Sequence, residues 1–205
     1  MGLHKLDRNT DNGPGAGHWW LPVCALLAAA LLLLAGEWGR DWLRFDRMAI
    51  SSGEVWRLLS GHFVHLGWPH FALNGAGLTL VWYLVGDAFD GRQWILIAAI
   101  SMLAMDLGLW IFDPDLLWYV GLSGLLHGIL AAGLAERLWK PDRETFVLTA
   151  LLVGKLAWEQ FSGPLPGSED AAGGQVVVDS HLFGAIGGAV AAMILRIRVQ
   201  RAAPI

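Results

Sequence analysis

Six apolar segments account for more than half of the sequence, and they restrict what the chain can fold into. They occupy 19–36, 68–86, 93–112, 121–138, 145–162 and 180–197. Each is close to the roughly 20 residues that an α-helix needs to cross the hydrocarbon core of a bilayer. Because lipid offers the backbone no hydrogen-bond partners, such segments cross as helices. The sequence therefore predicts an all-α polytopic membrane protein, with six transmembrane helices in a single domain over 1–205.

The composition agrees with this class. Of the 205 residues, 55% are hydrophobic and 16% are charged, and 12 are tryptophan, which concentrates at membrane interfaces. The single cysteine, Cys24, excludes an intrachain disulfide, and we interpret it as a packing residue. Nothing in the composition or charge indicates a nucleic-acid partner. We therefore expect the lipid bilayer, and no nucleic acid, as a partner of the chain.

The connections between the apolar segments alternate in charge. The basic groups are Arg92, then Arg137, Lys140 and Arg143, and in the C-terminal tail Arg196, Arg198 and Arg201. The acidic groups are Asp113 and Asp115, and then Glu169, Asp170 and Asp179. The positive-inside rule places the basic connections in the cytoplasm. Both termini, including a tail over 1–18, are therefore predicted to be cytoplasmic. The long first loop, 37–67, carries both charges and several aromatic residues, which predicts an amphipathic structure in the outer interface.

Polar residues on three of the segments are expected at the same depth. Ser123 lies fourteen residues before Arg137, the first charge at the cytoplasmic edge of its segment. At about 1.5 Å per residue, Ser123 stands about 21 Å above that edge in a core about 30 Å thick. His181 and Asn74, counted in the same way, stand about 22 Å and about 20 Å up, and His70 is one turn nearer the outside. This layer predicts a water-filled pocket that opens outward.

The residue types in this layer suit nucleophilic catalysis. A serine hydroxyl becomes an effective nucleophile when a neutral histidine takes its proton, and Ser123 and His181 supply that pair. Gly121 and Gly124 permit a sharp turn and a close helix approach beside Ser123, whose first-turn position faces free backbone amides. His70 and Asn74 stand one turn apart on one helix face, so both side chains are expected to donate hydrogen bonds to the same oxyanion.

Other interpretations of the same residues remain open. Serine and asparagine in membrane helices often serve only helix packing, whereas intramembrane histidines are usually functional. Asp179, two residues before His181, is either a third catalytic group or a helix cap, and we favour the cap. A zinc site at His62, His65 and His70 is disfavoured, because no cysteine or carboxylate stands at ligand spacing. We therefore predict no metal and no cofactor.

Two further charged positions lie within the apolar segments. Lys155 and Glu159 stand one turn apart in the fifth segment and most simply neutralise each other, the alternative being that they line the path of a substrate. Asp106 in the third segment is expected to pair with a hydroxyl or to face water. A small transporter built on these three residues is an alternative function, although the chain shows no matching halves.

Four motifs in their order along the chain resemble the rhomboid intramembrane serine proteases. They are Trp56-Arg57 in the first loop, His70-x-x-x-Asn74, Gly121-Leu122-Ser123-Gly124 and His181-x-x-Gly184-x-x-x-Gly188. The resemblance implies a rhomboid-like six-helix bundle and a Ser123/His181 dyad without a third acid. It further implies an oxyanion site from His70, Asn74 and the Ser123 backbone, and a chiefly structural role for His65. A catalytically inactive rhomboid-like protein that binds or escorts membrane helices is the alternative.

His127 departs from the typical rhomboid pattern, which has an aromatic residue four places after the serine, packed on the catalytic histidine. With Gly128, the run Gly-Leu-Ser-Gly-Leu-Leu-His-Gly resembles the rhombosortase branch. That resemblance implies cleavage of exported bacterial proteins at a C-terminal Gly-Gly-type anchor, and hence a place in the bacterial inner (cytoplasmic) membrane. Gly121, Gly124 and His127 form the candidate substrate pocket. His127 either shapes this pocket for glycine or hydrogen-bonds to a neighbouring helix, and we favour the second.

Overall fold

A computed structural model of the protein describes residues 18–202, so that most of the predicted tail over 1–18 lies outside the described residues. The elements are α1 (Trp20–Leu34), α2 (Gly36–Leu43), β1 (Phe45–Asp46), α3 (Arg47–Ser51), α4 (Arg57–Ser60), α5 (Trp68–Val85), α6 (Gly91–Phe112), β2 (Trp118–Tyr119), α7 (Ser123–Arg137), α8 (Arg143–Ser162), α9 (Ser168–Ala172) and α10 (Val178–Ala202). The described chain is thus mostly helical.

The six predicted segments correspond to α1, α5, α6, α7, α8 and α10, and each helix begins within two residues of its predicted start. Local signals explain several of these starts. Asp90 and Gln93 form a capping box at α6, and the Asp142 side chain accepts the Thr145 amide at the start of α8. Pro69 lies in the first turn of α5, where its missing N–H leaves no helical hydrogen bond unmade.

Fewer helices meet the length and composition expected of a membrane span than the six predicted. Among the described residues, α6 and residues Val178–Arg198 of α10 meet it, and α1 with α2 makes a third if this pair, bent by 116°, is one span. α7 has only fifteen residues, which corresponds to about 22 Å. α8 contains two charged residues at its start and two more, Lys155 and Glu159, within it. The count of six spans therefore stays a prediction.

α7 lies at the centre of the bundle. Nine of its fifteen residues are buried, and it packs against α5, α6, α8 and α10. α8 is peripheral, because only Thr145, Leu152 and Glu159 of its twenty residues are buried. The central position of α7 explains how a short helix rich in small residues is accommodated: its neighbours, rather than lipid, cover most of its surface.

Large apolar side chains are exposed around the outside of the bundle. Leu31, Tyr83, Phe112 and Phe161 are 68%, 74%, 72% and 90% exposed, respectively. An apolar surface of this extent suits contact with lipid and not with water. Together with the long apolar helices, it makes the chain an integral membrane protein.

The first loop, 37–67, contains α2, β1, α3 and α4 and is tied to the connection between α6 and α7. Phe45 of β1 pairs with Tyr119 of β2, and Asp46 pairs with Trp118, in an antiparallel register. Because β2 leads directly into Gly121 and Ser123, this pairing links the first loop to the start of α7. The position of the loop at the outer membrane interface stays a prediction.

Two arginines hold the first loop in place. Arg47 donates to four carbonyl oxygens in and just after the last turn of α6, those of Leu109, Trp110, Asp113 and Leu116, at 2.8 to 3.1 Å. The last carbonyls of a helix have no partners within it, so Arg47 acts as its cap. Buried Arg57 donates to the Glu54 carboxylate at 2.7 Å and to the carbonyl of Asp41 at 2.8 Å.

Candidate active site

Ser123 and His181 are in hydrogen-bond contact. The Nε2 atom of His181 lies 3.0 Å from the Oγ atom of Ser123, although 58 positions separate the two residues in the chain. Ser123 is the first residue of α7, and His181 stands in the first turn of α10. The histidine is 4% exposed and the serine is half-buried. Chemically, this arrangement can transfer the hydroxyl proton to the imidazole.

Glycines on both helices permit this contact. A Cβ atom placed on Gly184 or Gly188 of α10 would overlap the carbonyl oxygen of Gly124 or Gly128 of α7, respectively. The two backbones therefore touch along two successive turns. Small residues are the usual means of bringing membrane helices this close. Gly124 is buried in this contact, beside Met105 and Ser180.

His70 and Asn74 of α5 face the residues that precede Ser123. A Cβ on Gly121 would lie 2.9 Å from Nε2 of His70 and 3.7 Å from Nδ2 of Asn74. The amide of Leu66 donates to Nδ1 of His70 at 3.3 Å, which leaves the proton of a neutral ring on Nε2. The Nδ2 atom of Asn74 is buried without a hydrogen-bond partner among the described residues. Two donor groups are therefore directed toward the Gly121 side of the serine.

The backbone turn at Gly121 is held by neighbouring groups. Its φ of +123° lies where side chains are rarely tolerated, and its amide donates to the carbonyl of Gly61 at 3.1 Å. The buried hydroxyl of Tyr119 donates to the Gly121 carbonyl. Burial raises the pKa of Tyr119, so that the hydroxyl remains a donor at any physiological pH. No pattern in the sequence indicates this role of Tyr119.

An acidic side chain contacts His181, contrary to the implied dyad without a third acid. Glu159 Oε2 lies 2.9 Å from Nδ1 of His181, on the opposite side of the ring from Ser123. Lys155 donates to Glu159 Oε1 at 2.6 Å, and its Nζ atom is also 3.4 Å from Nδ1 of His181. Lys155 and Glu159 thus form the expected ion pair, but the pair belongs to the site.

The depth rule applied to Ser123 and His181 would have found Glu159. It stands sixteen residues from Arg143, at the predicted cytoplasmic edge of its segment, or about 24 Å up, close to the depth predicted for His181. The sequence signal was therefore present. The i, i+4 pairing of Glu159 with Lys155 also satisfies both charges locally, so the sequence does not require a third partner for Glu159.

The sequence suggested that His127 hydrogen-bonds to a neighbouring helix, but its partner lies in its own helix. Its Nδ1 atom lies 2.7 Å from the carbonyl oxygen of Ser123, one turn earlier in the same helix. Its ring stacks on that of His181, with centroids 4.2 Å apart and planes at 19°. The i, i+4 spacing brings the ring over its own helix start, where His181 arrives from α10. His127 therefore contacts both the residue that carries the Ser123 hydroxyl and the histidine beside that hydroxyl.

The other candidate residues have separate partners. Asp179 accepts a hydrogen bond from Gln160 at 3.1 Å, so the acid next to His181 comes from α8 instead. Asp106 lies 3.3 Å from Nε2 of buried His62, not from a hydroxyl. The Nδ1 atom of His65 donates to the carbonyl of Phe63 at 3.0 Å. These contacts leave the transporter alternative without a shared site for its three residues.

Among the described residues, one set of metal-ligating side chains is close enough to share an ion: His127, Glu159 and His181. The carboxylate of Glu159 is bound by Lys155 and His181, and Nδ1 of His127 is bound by the Ser123 carbonyl. A lysine ammonium within the set opposes a second cation. We therefore interpret the cluster as an ion-pair network.

Comparisons with known proteins agree on one family. The sequence model of the Rhomboid domain matches residues 52–198, which include all of the residues discussed above from Arg57 to His181. A protein of Bacillus subtilis (strain 168) named "Putative rhomboid protease YdcA" is 22% identical to the chain over 149 residues. The aligned part covers 73% of this chain and 71% of that protein.

Proposed function

The chain belongs to the rhomboid family, and on that premise we propose that it is an intramembrane serine endopeptidase. The family suggests proteolysis of membrane proteins within the bilayer. The observation that carries the proposal is the 3.0 Å contact between Ser123 Oγ and His181 Nε2. A hydroxyl and an imidazole at this separation, partly shielded from solvent, form a nucleophile and its general base.

In the proposed mechanism, Ser123 attacks the scissile carbonyl while His181 takes the hydroxyl proton. The tetrahedral intermediate then collapses, the peptide bond breaks, and His181 returns the proton to the leaving amine. Water then hydrolyses the acyl-enzyme. His181 takes a proton from the attacking water and afterwards donates it to the departing Ser123 oxygen. Transfer of the acyl group to an amine instead of water is a further hypothesis, which the mass of the new C-terminus decides.

The oxyanion is held by groups on two elements. Asn74 Nδ2, buried and unpartnered among the described residues, and the Nε2–H of His70 converge near Gly121. The Ser123 amide, at the first position of α7, has no acceptor within the helix. A buried donor left without a partner is costly in the resting protein, and the developing oxyanion supplies the missing acceptor.

The sequence features around the serine suggest the substrate. His127 and the flanking run resemble the rhombosortase branch, for which the implied substrate is the C-terminal Gly-Gly-type anchor of an exported protein. Gly121, Gly124 and His127 remain the candidate pocket residues. We accordingly place the protein in the bacterial inner membrane with both termini in the cytoplasm, so that cleavage occurs near the outer end of the anchor.

The test uses purified protein in detergent or proteoliposomes. A membrane anchor containing Gly-Gly is incubated with wild-type protein, with Ser123→Ala, and with Ser51→Ala as an exposed-serine control. We expect wild-type protein and Ser51→Ala to give fragments of identical mass. Ser123→Ala should give no fragments. A serine-directed phosphonate should label Ser123 alone. Absence of both cleavage and labelling in the wild-type protein would favour the inactive helix-binding alternative and overturn the proposal.

A further inference from the structure

We infer that Glu159 is a positioning residue that fixes the tautomer of His181, and that Lys155 makes this role necessary because its ammonium competes for the same ring nitrogen. The inference rests on the proposed function and adds a third, acidic group to the Ser123/His181 pair. It also assigns a role to a lysine that the dyad alone does not use.

Glu159 lies on the buried face of α8, where its carboxylate has polar partners. The three buried residues of α8, Thr145, Leu152 and Glu159, recur every seven positions and form one stripe that faces the bundle. Thr145 bonds to Asp142 and Leu152 joins the apolar core. At the third position the stripe presents a carboxylate, 3% exposed, whose oxygens contact Lys155 and His181. A buried charge in a membrane helix requires such partners.

The position of the His181 proton decides whether this histidine can act as a base. If Nδ1 carries the proton, it donates to Glu159 at 2.9 Å, and Nε2 has a lone pair directed at the Ser123 hydroxyl. If Nδ1 is bare, the ammonium of Lys155 at 3.4 Å can donate to it, and the ring proton moves to Nε2. The second tautomer offers Ser123 a donor and cannot accept its proton. Glu159 selects the first.

The ion pair also accounts for charge during the reaction. In the resting state Lys155 offsets the charge of Glu159 at 2.6 Å, which lowers the cost of burying the carboxylate. When His181 takes the serine proton it becomes a cation, and the adjacent carboxylate stabilises that cation. The Nδ1 proton stays on the ring throughout, so that the only proton transferred is the one that moves between Ser123 and His181 and then to the leaving group.

The experiment compares Glu159→Gln, Lys155→Met and the double variant, with Glu144→Gln, an exposed acid on the same helix, as the control. The first readout is the second-order rate constant for phosphonate labelling of Ser123. We expect Glu159→Gln to lose at least about a hundredfold, since disturbing the tautomer in a serine triad costs up to about 10⁴. Lys155→Met should stay within about tenfold of wild type. The double variant should recover about tenfold or more over Glu159→Gln, because the competing donor is gone.

The second readout is the ring ¹⁵N spectrum of His181 in histidine-labelled protein. Wild type and Lys155→Met should show Nδ1–H, and Glu159→Gln should show a large share of Nε2–H. A merely structural Glu159 predicts a lower unfolding temperature, equal losses in the single and double variants, and an unchanged tautomer. That pattern, or Nε2–H in the wild-type protein, would overturn the inference.

The two proposals fail separately. If wild-type protein labels at Ser123 and Glu159→Gln labels equally fast, the inference about Glu159 is wrong and the proposed protease function stands. If Glu159→Gln does not fold, Glu159→Asp takes its place, and slow labelling with Nε2–H supports the inference. If wild-type protein does not label at all, both proposals fall.

Discussion

The backbone of Gly188 on α10 is in van der Waals contact with the carbonyl of Gly128 on α7, with no room for a side chain between them. Gly184 and Gly124 make the same contact one turn nearer the start of both helices. The crossing fixes the separation of the two helices, and Ser123 and His181 stand beside it in the first turns of α7 and α10. The geometry of the candidate site thus depends on glycine at these four positions, because a side chain at any of them would overlap the facing helix.

Gly188→Ala should push α7 and α10 apart. The added methyl group overlaps the Gly128 backbone, and overpacking of this kind costs about 1–3 kcal/mol. Thermal unfolding in detergent should show a lower midpoint, and labelling of Ser123 should slow because its base is displaced. Gly154→Ala is the matched control, since nothing lies within 4 Å of a Cβ there. An equal response from both variants would contradict this account.

Asn74→Leu should lower kcat by about 10²–10³-fold and leave KM nearly unchanged. The buried Nδ2 donor is proposed to contact the oxyanion only in the transition state, and loss of one such donor has this effect. Steady-state cleavage of the Gly-Gly anchor measures both constants. Thr79→Ala serves as the control on the same helix, because that exposed hydroxyl bonds only to the Gly75 carbonyl. A change confined to KM would assign Asn74 to substrate binding.

His127→Phe and His127→Ala should differ in their effect on Ser123. Phenylalanine keeps an aromatic ring on His181, whereas alanine removes the stacked partner at 4.2 Å. Such ring pairs contribute about 0.5–1.5 kcal/mol, so we expect labelling to fall by up to about tenfold in the alanine variant only. Cleavage of Gly-Gly and bulkier anchors should be compared in parallel. A loss of Gly-Gly preference in His127→Phe, with labelling intact, would show that the histidine also shapes the pocket.

Acid should destabilise the first loop through His65. Burial, with a contribution from the charge of His70, lowers the pKa of His65 to about 4, whereas an exposed histidine titrates near pH 6.5. The unfolded chain therefore binds a proton more readily than the folded one. The contribution is constant above about pH 6.5 and is lost as pH falls toward 4. Unfolding midpoints measured at pH 7, 5.5 and 4.5 should fall less steeply in His65→Gln, and parallel curves would refute the assignment.

Much of the helical framework was predictable because it depends on local chemistry. Apolar length predicted the helices, whereas the caps at Asp90 and Asp142, which set where two of them begin, came from the structure. Residue type and depth also singled out Ser123 and His181. By contrast, the contacts of His127 with the Ser123 carbonyl and the His181 ring, and of Asp106 with His62, came only from the structure, because the partner of a polar side chain depends on which groups the folded helices bring within reach.

The sequence by itself determined that the chain enters a membrane as helices. It also determined which polar side chains need partners there, because the free energy of burying them alone is unfavourable. Both follow from free energies that each segment carries alone, through apolar length and the penalty on isolated charge. Only the tertiary structure decided that Glu159, and not Asp179, lies at Nδ1 of His181, and that Nζ of Lys155 lies 3.4 Å from the same atom. These relations depend on the rotation of α8 about its axis and on the crossing of α7 with α10, which are fixed by packing between residues far apart in the chain.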